Sequence, residues 1–360
     1  VGLIKDNIVW GDNYHGSNIL SGRVPSFPMI TLKVKPVKWF ELNYFHGWLV
    51  SNVLDSTNYY VENTGAKMYR QKNKFIAANL FSFTPIPKFN ISFGNSIIYA
   101  ENNVQPAYFL PVAFYKSIDH TLTKGLKIEN QNSQVFFNIS SRNIKHLHLY
   151  SSIFFDEIDY SRFKPSSAEK NPGSFKFGAQ LSNFHVKNLS AVAEFTRTGI
   201  ITYKHSIPAL TWASNGYNLG HFLGDNSQEI YAALKYKPLK GLSFDFSLTD
   251  AKHGNEYIYL RRNSLKMDQT KIFLSQPSLG EISWSNRSYE LNIRYEVFNN
   301  AFAIINLLNS NIQGYDLTST PIQYDESEVL RDAQGYLNIF SPAYLHGKNT
   351  TITFGFSFGF

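Results

Sequence analysis

The carboxyl-terminal stretch of the chain alternates apolar side chains with small or polar ones without interruption. The apolar positions are Ile352, Phe354, Phe356, Phe358 and Phe360, and Thr, Gly, Ser and Gly stand between them. Successive side chains of a β-strand point to opposite faces, so the five apolar side chains share one face. An aromatic face backed by a small, polar face is typical of a transmembrane β-strand, which contacts lipid on one side and a wet lumen on the other.

Four other stretches repeat this period of two, at residues 175–182, 189–196, 242–249 and 289–297. Their polar faces carry charged side chains, namely Lys176, Glu194, Asp245, Glu290 and Arg294. Charges in these positions exclude the dry interior of a soluble β-sandwich. The pattern predicts an all-β fold, an antiparallel transmembrane β-barrel of the outer membrane.

Short turns between strand-like segments recur at residues 35–38, 84–88, 141–145, 185–188, 237–241 and 298–300. Each interval has room for two strands of about 9–11 residues and one long loop. With two more strands near residues 3–10 and 28–34, this layout predicts about 14 strands, short periplasmic turns, long extracellular loops and a periplasmic carboxyl terminus. The segments 59–70, 108–116, 202–212 and 257–273 are either folded loops or further strands, which would raise the number to about 18.

Composition agrees with alternating faces. Aromatic residues make up 16% of the 360 residues, yet the mean hydropathy is only −0.25, so large rings are interleaved with polar residues. No linker-like change of composition divides the chain, which predicts one barrel domain over residues 1–360. No run of about 18 apolar residues occurs, which excludes a helical membrane span. The absence of Cys excludes disulfides and thiolate metal sites, and the start at Val1 suggests a processed chain.

The charge balance bears on partners. The chain has 34 Lys and Arg against 27 Asp and Glu, a formal net charge of +7. A basic excess favours anionic partners, which for a barrel are acidic polysaccharide, outer-membrane lipid and lipopolysaccharide. The alternative is that the basic residues only line the rims against anionic lipid. We expect no nucleic-acid partner, because the chain has no basic helix, basic run or nucleic-acid motif.

Strong catalytic signals are missing. The sequence contains no Gly-x-Ser-x-Gly elbow, phosphate-binding glycine loop or His-Glu-x-x-His motif, and its 10 His residues lack metal-ligand spacing. We therefore expect no enzymatic activity, no cofactor and no metal site. A hydrolase built from Ser, His and Asp on separate strands is the last alternative.

The long segments collect aromatic rings, imidazoles and guanidinium groups. Sugar rings stack their apolar faces on aromatics, and their hydroxyl and carboxylate groups bond to polar and cationic side chains. This chemistry predicts a polysaccharide site, although the rings could equally form the interfacial girdles of a barrel. The candidate residues are Trp10, Tyr14, His15, Arg23, Arg70, Tyr99, Tyr108, Trp212, Tyr217, His221, Tyr259, Arg261 and Arg262.

Two motifs resemble a known family. Residues 10–21 read WGDNYHGSNILS and are followed by PSFP at 25–28, and residues 220–227 read GHFLGDNS. These stretches resemble the Wzi-like capsule-assembly family as it occurs in Bacteroidota. The resemblance implies an outer-membrane barrel of a Gram-negative bacterium that acts as a surface lectin for capsular or exopolysaccharide.

The residues and the resemblance together predict a non-enzymatic outer-membrane barrel that binds and anchors acidic polysaccharide at the cell surface. Two alternatives from other classes stay open. One is an accessory or structural barrel in a larger outer-membrane complex for secretion, assembly or glycan uptake, with other outer-membrane proteins as partners. The other is a passive channel, which would require an open lumen.

Overall fold

A computed structural model of the chain describes residues 1–124, 130–254, 274–275, 277–315, 337–338 and 341–359. Fourteen of its strands form one antiparallel sheet in which each strand pairs with its neighbours along the chain. The all-β fold and the strand number predicted from the turns are confirmed. Within the described ranges the first strand of this sheet pairs on one side only and so does the last, so the sheet is not closed.

The strands of the large sheet are long enough to cross a membrane, apart from the first. In chain order, including two small hairpins (β2 with β3 and β12 with β13), the strands are β1 (Gly2–Asp6), β2 (Val9–Trp10), β3 (Leu20–Ser21), β4 (Phe27–Val37), β5 (Phe40–Val61), β6 (Lys67–Ile86), β7 (Phe89–Tyr99), β8 (Gln131–Ser141), β9 (Leu147–Phe155), β10 (Gly173–Ser182), β11 (Leu189–Thr198), β12 (Ala213–Ser214), β13 (Tyr217–Asn218), β14 (Ser227–Leu239), β15 (Leu242–Gly254), β16 (Ile282–Phe298), β17 (Ala301–Gly314) and β18 (Gly347–Phe358).

Helical structure in the described part of the chain is short. One α-helix, α1 (Tyr115–Leu122), and four 3-10 turns (Pro106–Phe109, Tyr160–Phe163, Pro208–Leu210 and Ala343–Leu345) lie in the connections. None of the helices in the described ranges has the length and hydropathy that a membrane-spanning helix requires.

All six predicted short turns join consecutive strands of the sheet. The predicted first strand at 3–10 is partly wrong, because β1 ends at Asp6 and Val9–Trp10 pairs with Leu20–Ser21 outside the large sheet. The Asp6 carboxylate accepts a hydrogen bond from the Asn7 N–H at 2.8 Å, where the chain leaves the sheet.

The segments that could have been further strands add none to the sheet where they are described. Residues 59–70 extend β5 and β6 into a long hairpin, 108–116 contain a 3-10 turn and the start of α1, and 202–212 form a loop with a 3-10 turn. The fourth segment, 257–273, lies outside the described residues.

The two faces of the sheet differ as the alternation predicts. Phe177 and Phe356 point outward and are 54% and 76% exposed, whereas Lys176 and Glu194 point inward and are almost fully buried. The inward face is identified by its contacts with residues 11–26, here called the plug. The sheet curves around this segment, since the plug and its flanking Trp10 contact residues from β5 to β14.

A second segment, residues 199–226, packs against the plug inside the sheet. Together they form a core cluster with the inner faces of β5 to β9, in which Ile19, Leu20, Leu210 and Trp212 are buried. A third segment, residues 104–122, packs against the opposite, outer face of β5 to β7 and is here called the strap.

Candidate functional site

The plug is fastened to the inner wall at Glu194 of β11. The Glu194 Oε1 atom accepts hydrogen bonds from the Tyr14 N–H at 2.7 Å and the Tyr150 hydroxyl at 2.5 Å. Its Oε2 accepts a hydrogen bond from the His15 N–H at 3.1 Å and lies 2.8 Å from Nζ of Lys176. Hydrogen bonds to an ionised group are stronger than neutral ones. The wall therefore holds the backbone of the plug in a defined position.

Asp12 provides a second attachment. Its Oδ2 accepts a hydrogen bond from the Asn138 amide at 2.7 Å, and its N–H donates to the Asn138 Oδ1 at 3.0 Å. The Asp12 Oδ1 lies 3.6 Å from Nε2 of His148 and 4.0 Å from the Arg142 guanidinium. These contacts tie the start of the plug to β8 and β9.

His15 connects the plug to β14. Its ring stacks on Tyr231 with 3.9 Å between the ring centroids, and its Nε2 lies 3.5 Å from the Glu229 carboxylate. Nε2 of His221, from the second inner segment, lies 3.4 Å from the same carboxylate. Burial lowers the pKa of His221, so its neutral form is favoured. The Glu229 carboxylate thus contacts both segments that lie inside the sheet, the plug and residues 199–226.

Hydrogen bonds also join the two inner segments directly. The Trp212 indole N–H donates to the Ile19 carbonyl at 3.1 Å, and the Tyr203 hydroxyl donates to the Asn18 carbonyl at 2.5 Å. The Asn18 amide in turn donates to the Ser174 carbonyl at 2.9 Å. The inner segments and the wall therefore form one packed unit on the inner face of β5 to β14.

A polar cavity of about 420 Å³ lies beside the plug, toward the short turns. Tyr14 and Tyr231 contribute rings, and Lys235 of β14 forms an ion pair with Asp245, directly opposite on β15, at 3.2 Å. The other residues lining the cavity are Gln180, Ser190, Val192, Ala233, Leu234, Phe246, Ser247, Glu290 and Asn292. Hydroxyl, amide and charged groups of this kind can bind water or a hydroxylated ligand.

The long hairpin of β5 and β6 forms a different kind of surface. These strands contain 22 and 20 residues, against 10 in β10 and β11. About 9–11 residues cross a membrane, so the surplus extends roughly 30 Å along the strands, at about 3.3 Å per residue. The Tyr59 and Tyr69 rings lie 5.6 Å apart, and Nζ of Lys67 lies 4.6 Å from the centroid of Tyr59. We call Tyr59, Lys67, Tyr69 and Arg70 the hairpin platform.

The structure divides the predicted site residues among separate places. Trp10, Tyr14, His15 and Arg23 lie in or next to the plug, where the Trp10 ring packs 5.3 Å from that of Phe45. Arg23 is exposed, and its guanidinium lies 4.3 Å from the centroid of the Phe222 ring. The plug residues mainly hold the inner segments together, and only Tyr14 lines the cavity.

Arg70 and Tyr217 are exposed on the long-loop side. The small hairpin that carries Tyr217 is bonded to the base of the long one, since the Asn215 N–H donates to the Val50 carbonyl at 3.0 Å. Tyr217 therefore lies near the base of the long hairpin.

Four predicted residues are fully buried, which leaves their side chains no surface for a glycan. Tyr99 and Tyr108 pack between the sheet and the strap, and Trp212 and His221 lie inside the sheet. Aromatic composition alone did not distinguish such packing from a surface site. Tyr259, Arg261 and Arg262 lie outside the described residues.

Residues 4–300 match the family described as "Capsule assembly protein Wzi". This match covers most of the chain. The chain belongs to the Wzi capsule-assembly family. A comparison with curated protein sequences finds no match.

The structural comparisons agree with Wzi-family membership. The fold is similar to that of Escherichia coli Wzi, described as an outer-membrane protein involved in group 1 capsule assembly and a carbohydrate-binding β-barrel. The TM-score is 0.55 at 12% identity, covering 86% of this chain and 63% of that one. This chain thus spans less than two thirds of the length of that Wzi.

Two outer-membrane proteins of Pseudomonas aeruginosa are more distantly similar. OccD3 gives a TM-score of 0.45 at 9% identity, covering 95% of this chain and 71% of that one. OprD gives 0.41 at 11% identity, covering 96% and 74%.

Sequence reasoning missed the residues that fix the inner segments of this Wzi-family chain. Lys176 and Glu194 lie on the polar faces of two alternating strands, β10 and β11. This alternation was the one feature of the sequence that indicated an inward position for them. Asp12 and Glu229 carried no such signal, because the contacts of Asp12 with Asn138 and of Glu229 with His15 join residues more than a hundred positions apart along the chain. Within the described ranges, no group of three or more His, Asp or Glu residues is placed to hold a metal ion.

Proposed function

We propose that this chain is a cell-surface protein of a Gram-negative outer membrane that binds and anchors an acidic polysaccharide without chemically altering it. Membership of the capsule-assembly family supports this function, and so does the carbohydrate binding ascribed to Escherichia coli Wzi. In this proposal the short turns and the carboxyl terminus are periplasmic and the long hairpin is extracellular.

The hairpin platform is the proposed polysaccharide contact, and its combination of exposed rings and cations is the observation that carries the assignment. Tyr59 and Tyr69 are 42% and 43% exposed on one face of a strand pair that extends past the other strands. An exposed pair of phenol rings presents apolar faces to sugar rings while the hydroxyls donate hydrogen bonds. Lys67 lies on the same face and Arg70 on the other, so both faces of the hairpin offer a cation.

The preference for an acidic polymer follows from charge. The formal net charge is +7, and an Arg side chain binds carboxylate in a bidentate manner. A polymer that crosses the platform meets several weak contacts at once, and repeated contacts give retention without a deep pocket.

The plug favours anchoring over the passive-channel alternative. Its contacts with Asn138, Glu194 and Glu229 hold it against the inner face of β8, β11 and β14, where it narrows the path for a solute. A polymer held at the long hairpin is then retained at the surface and is not conducted.

Binding is tested with purified protein in detergent and the polysaccharide shed by the producing strain, separated into acidic and neutral fractions. We expect the native chain to bind the acidic fraction. The double variant Tyr59→Ala with Tyr69→Ala should bind at least about ten-fold more weakly, because each ring contributes about 1 kcal/mol.

Tyr344→Ala is the matched control, since Tyr344 is 77% exposed but lies far along the chain, next to β18. Each variant must keep the heat-resistant gel migration of a folded barrel. A native chain that binds neither fraction contradicts the proposed function, whereas equal binding by the double variant contradicts only the site. Stoichiometric protein partners without glycan, found by mass spectrometry after gentle purification, would favour the accessory-subunit alternative.

A further inference from the structure

The strap lies on the face of the sheet that is opposite to the plug. On β6, Ile76 and Ala78 belong to the cluster that contains the plug, whereas Phe75 and Ala77 pack with Tyr108 of the strap. Neighbouring residues of a strand point to opposite faces. The strap therefore covers the outer wall at β5 to β7.

Two outward-facing asparagines lie beneath the strap. Asn79 of β6 is directly opposite Asn95 of β7, and the exposed fractions are 0% and 6%. Aromatic pairs flank them on the same face along both strands: Phe75 with Tyr99 at 5.0 Å between centroids, and Phe81 with Phe93 at 5.4 Å. Polar amides thus lie in the middle of an otherwise apolar band.

The asparagines bind the backbone of the strap. The Asn79 amide donates to the carbonyls of Pro111 and Ala113 at 3.0 and 2.8 Å, and the Asn95 Oδ1 accepts from the Tyr115 N–H at 2.9 Å. The Tyr44 hydroxyl donates to the Tyr108 carbonyl at 3.0 Å.

Other bonds use further backbone groups of the strap. The N–H groups of Tyr108 and Ala113 donate to the carbonyls of Gln105 and Leu110 at 3.1 and 3.2 Å. Pro106 and Pro111 have no backbone N–H to satisfy. Many backbone polar groups of the strap are therefore hydrogen-bonded within the strap or to the wall. Irregular backbone within a membrane requires such bonds, because the acyl chains offer no hydrogen-bond partner.

The outer surface of the strap is apolar over residues 109–114. Phe109, Leu110, Val112 and Phe114 are 38%, 55%, 68% and 50% exposed. This surface continues the outward band of the neighbouring strands, where Phe93 and Phe137 are 42% and 45% exposed. Exposed apolar groups in such a contiguous patch mark an interaction surface.

We propose that the strap lies within the membrane and contacts the acyl chains of the outer leaflet, with Asn79 and Asn95 as the clamp that holds it to the wall. This proposal rests on the outer-membrane placement given above. Lipid is the occupant because the patch formed by residues 109–114 is continuous with the lipid-facing wall, and the carbonyls of Leu110, Pro111 and Ala113 bond to the strap or the wall. The strap then adds a band of lipid contact that no strand provides.

The native chain contains no Cys, so single-cysteine variants can be labelled cleanly. The Val112→Cys variant is labelled with a bimane fluorophore and reconstituted into phosphatidylcholine vesicles. Fluorescence quenching is measured either by doxyl-labelled acyl chains in the bilayer or by iodide added to the surrounding solution. Phe177→Cys reports the lipid-facing wall, and Tyr60→Cys reports the hairpin in water. We expect the label at 112 to be quenched by doxyl lipid to within about two-fold of the label at 177, and to be protected from iodide.

Quenching at 112 by iodide instead of lipid, with lipid quenching retained at 177, overturns the strap assignment but leaves the barrel placement intact. Iodide quenching at both positions overturns the placement itself. A photocross-linker at position 112 can be tested in cell envelopes. Stoichiometric cross-linking to one protein would show that a protein and not lipid covers the strap, and would overturn the proposal.

Discussion

Glu194 joins the plug to the wall at two consecutive backbone N–H groups, those of Tyr14 and His15. It accepts hydrogen bonds from two backbone N–H groups and one phenol, and it neutralises Lys176, whose side chain is 0% exposed. The alternation of β10 and β11 predicted that both charged groups would face inward. It could not predict their attachment to residues 14 and 15, because no local pattern specifies a partner about 180 residues away along the chain.

Glu194→Gln should destabilise the folded protein strongly. The change leaves the Lys176 ammonium buried without its counter-charge, and breaking a buried ion pair costs about 3–5 kcal/mol. The free energy of unfolding can be measured by urea titration of heat-resistant gel migration. Glu290→Gln is the control, since Glu290 is exposed and accepts a bond from the Asn306 amide. We expect a change of under about 0.5 kcal/mol there, and equal losses in both variants would contradict the role given to Glu194.

At the scale of elements, strands and short turns were predictable and the packed segments were not. A strand facing lipid and lumen must alternate, and Pro, Asn and Lys mark the turns, so both leave a periodic trace in the sequence. Residues 199–226 and the strap have no period. Their aromatic residues were therefore taken for binding groups, although Trp212 and Tyr108 pack inside the protein.

The second inner segment should loosen as the pH falls. Nδ1 of His205 accepts the Ile207 N–H at 3.0 Å, and burial lowers the pKa of His205 from 6.5 to about 4, with Lys74 adding repulsion. Since the unfolded segment binds the proton more readily, the contribution of His205 is complete above about pH 6.5 and declines as the pH falls toward 4.

Hydrogen-exchange mass spectrometry of peptides from 199–226, between pH 7.5 and 4.5, measures this effect after correction for intrinsic exchange rates. His205→Asn keeps an acceptor for the Ile207 N–H without a titrating group. We expect it to flatten the pH dependence, and an unchanged profile in this variant would assign the loosening to another residue.

At the scale of the whole molecule, the inner segments decide whether the barrel conducts. The described strands line a cavity on one side of the plug, and Trp212, Ile19 and Tyr203 pack together in the core on the inner face of the sheet. We expect little ion conductance from the native chain in planar bilayers. Replacing residues 12–24 by a Gly-Ser stretch of equal length should produce open-channel steps.

A matched variant replaces residues 54–71 of the hairpin in the same way. Because this hairpin lies outside the enclosed space, its loss should leave the conductance low. Native conductance as large as that of the plug variant would show that ions pass the plug, and would favour the channel alternative.

The long reach of the plug also constrains the order of assembly. Each strand of the large sheet pairs with the next one along the chain, so hairpins can form one after another with short loops to close. The plug precedes nearly all of these strands, yet it forms hydrogen bonds with residues 126 to 198 positions later along the chain. Its contacts with Glu194 and Glu229 can therefore form only after β11 and β14 are in place. We therefore expect refolding of the native chain to include a late, slow phase. This phase should be absent when residues 12–24 are replaced.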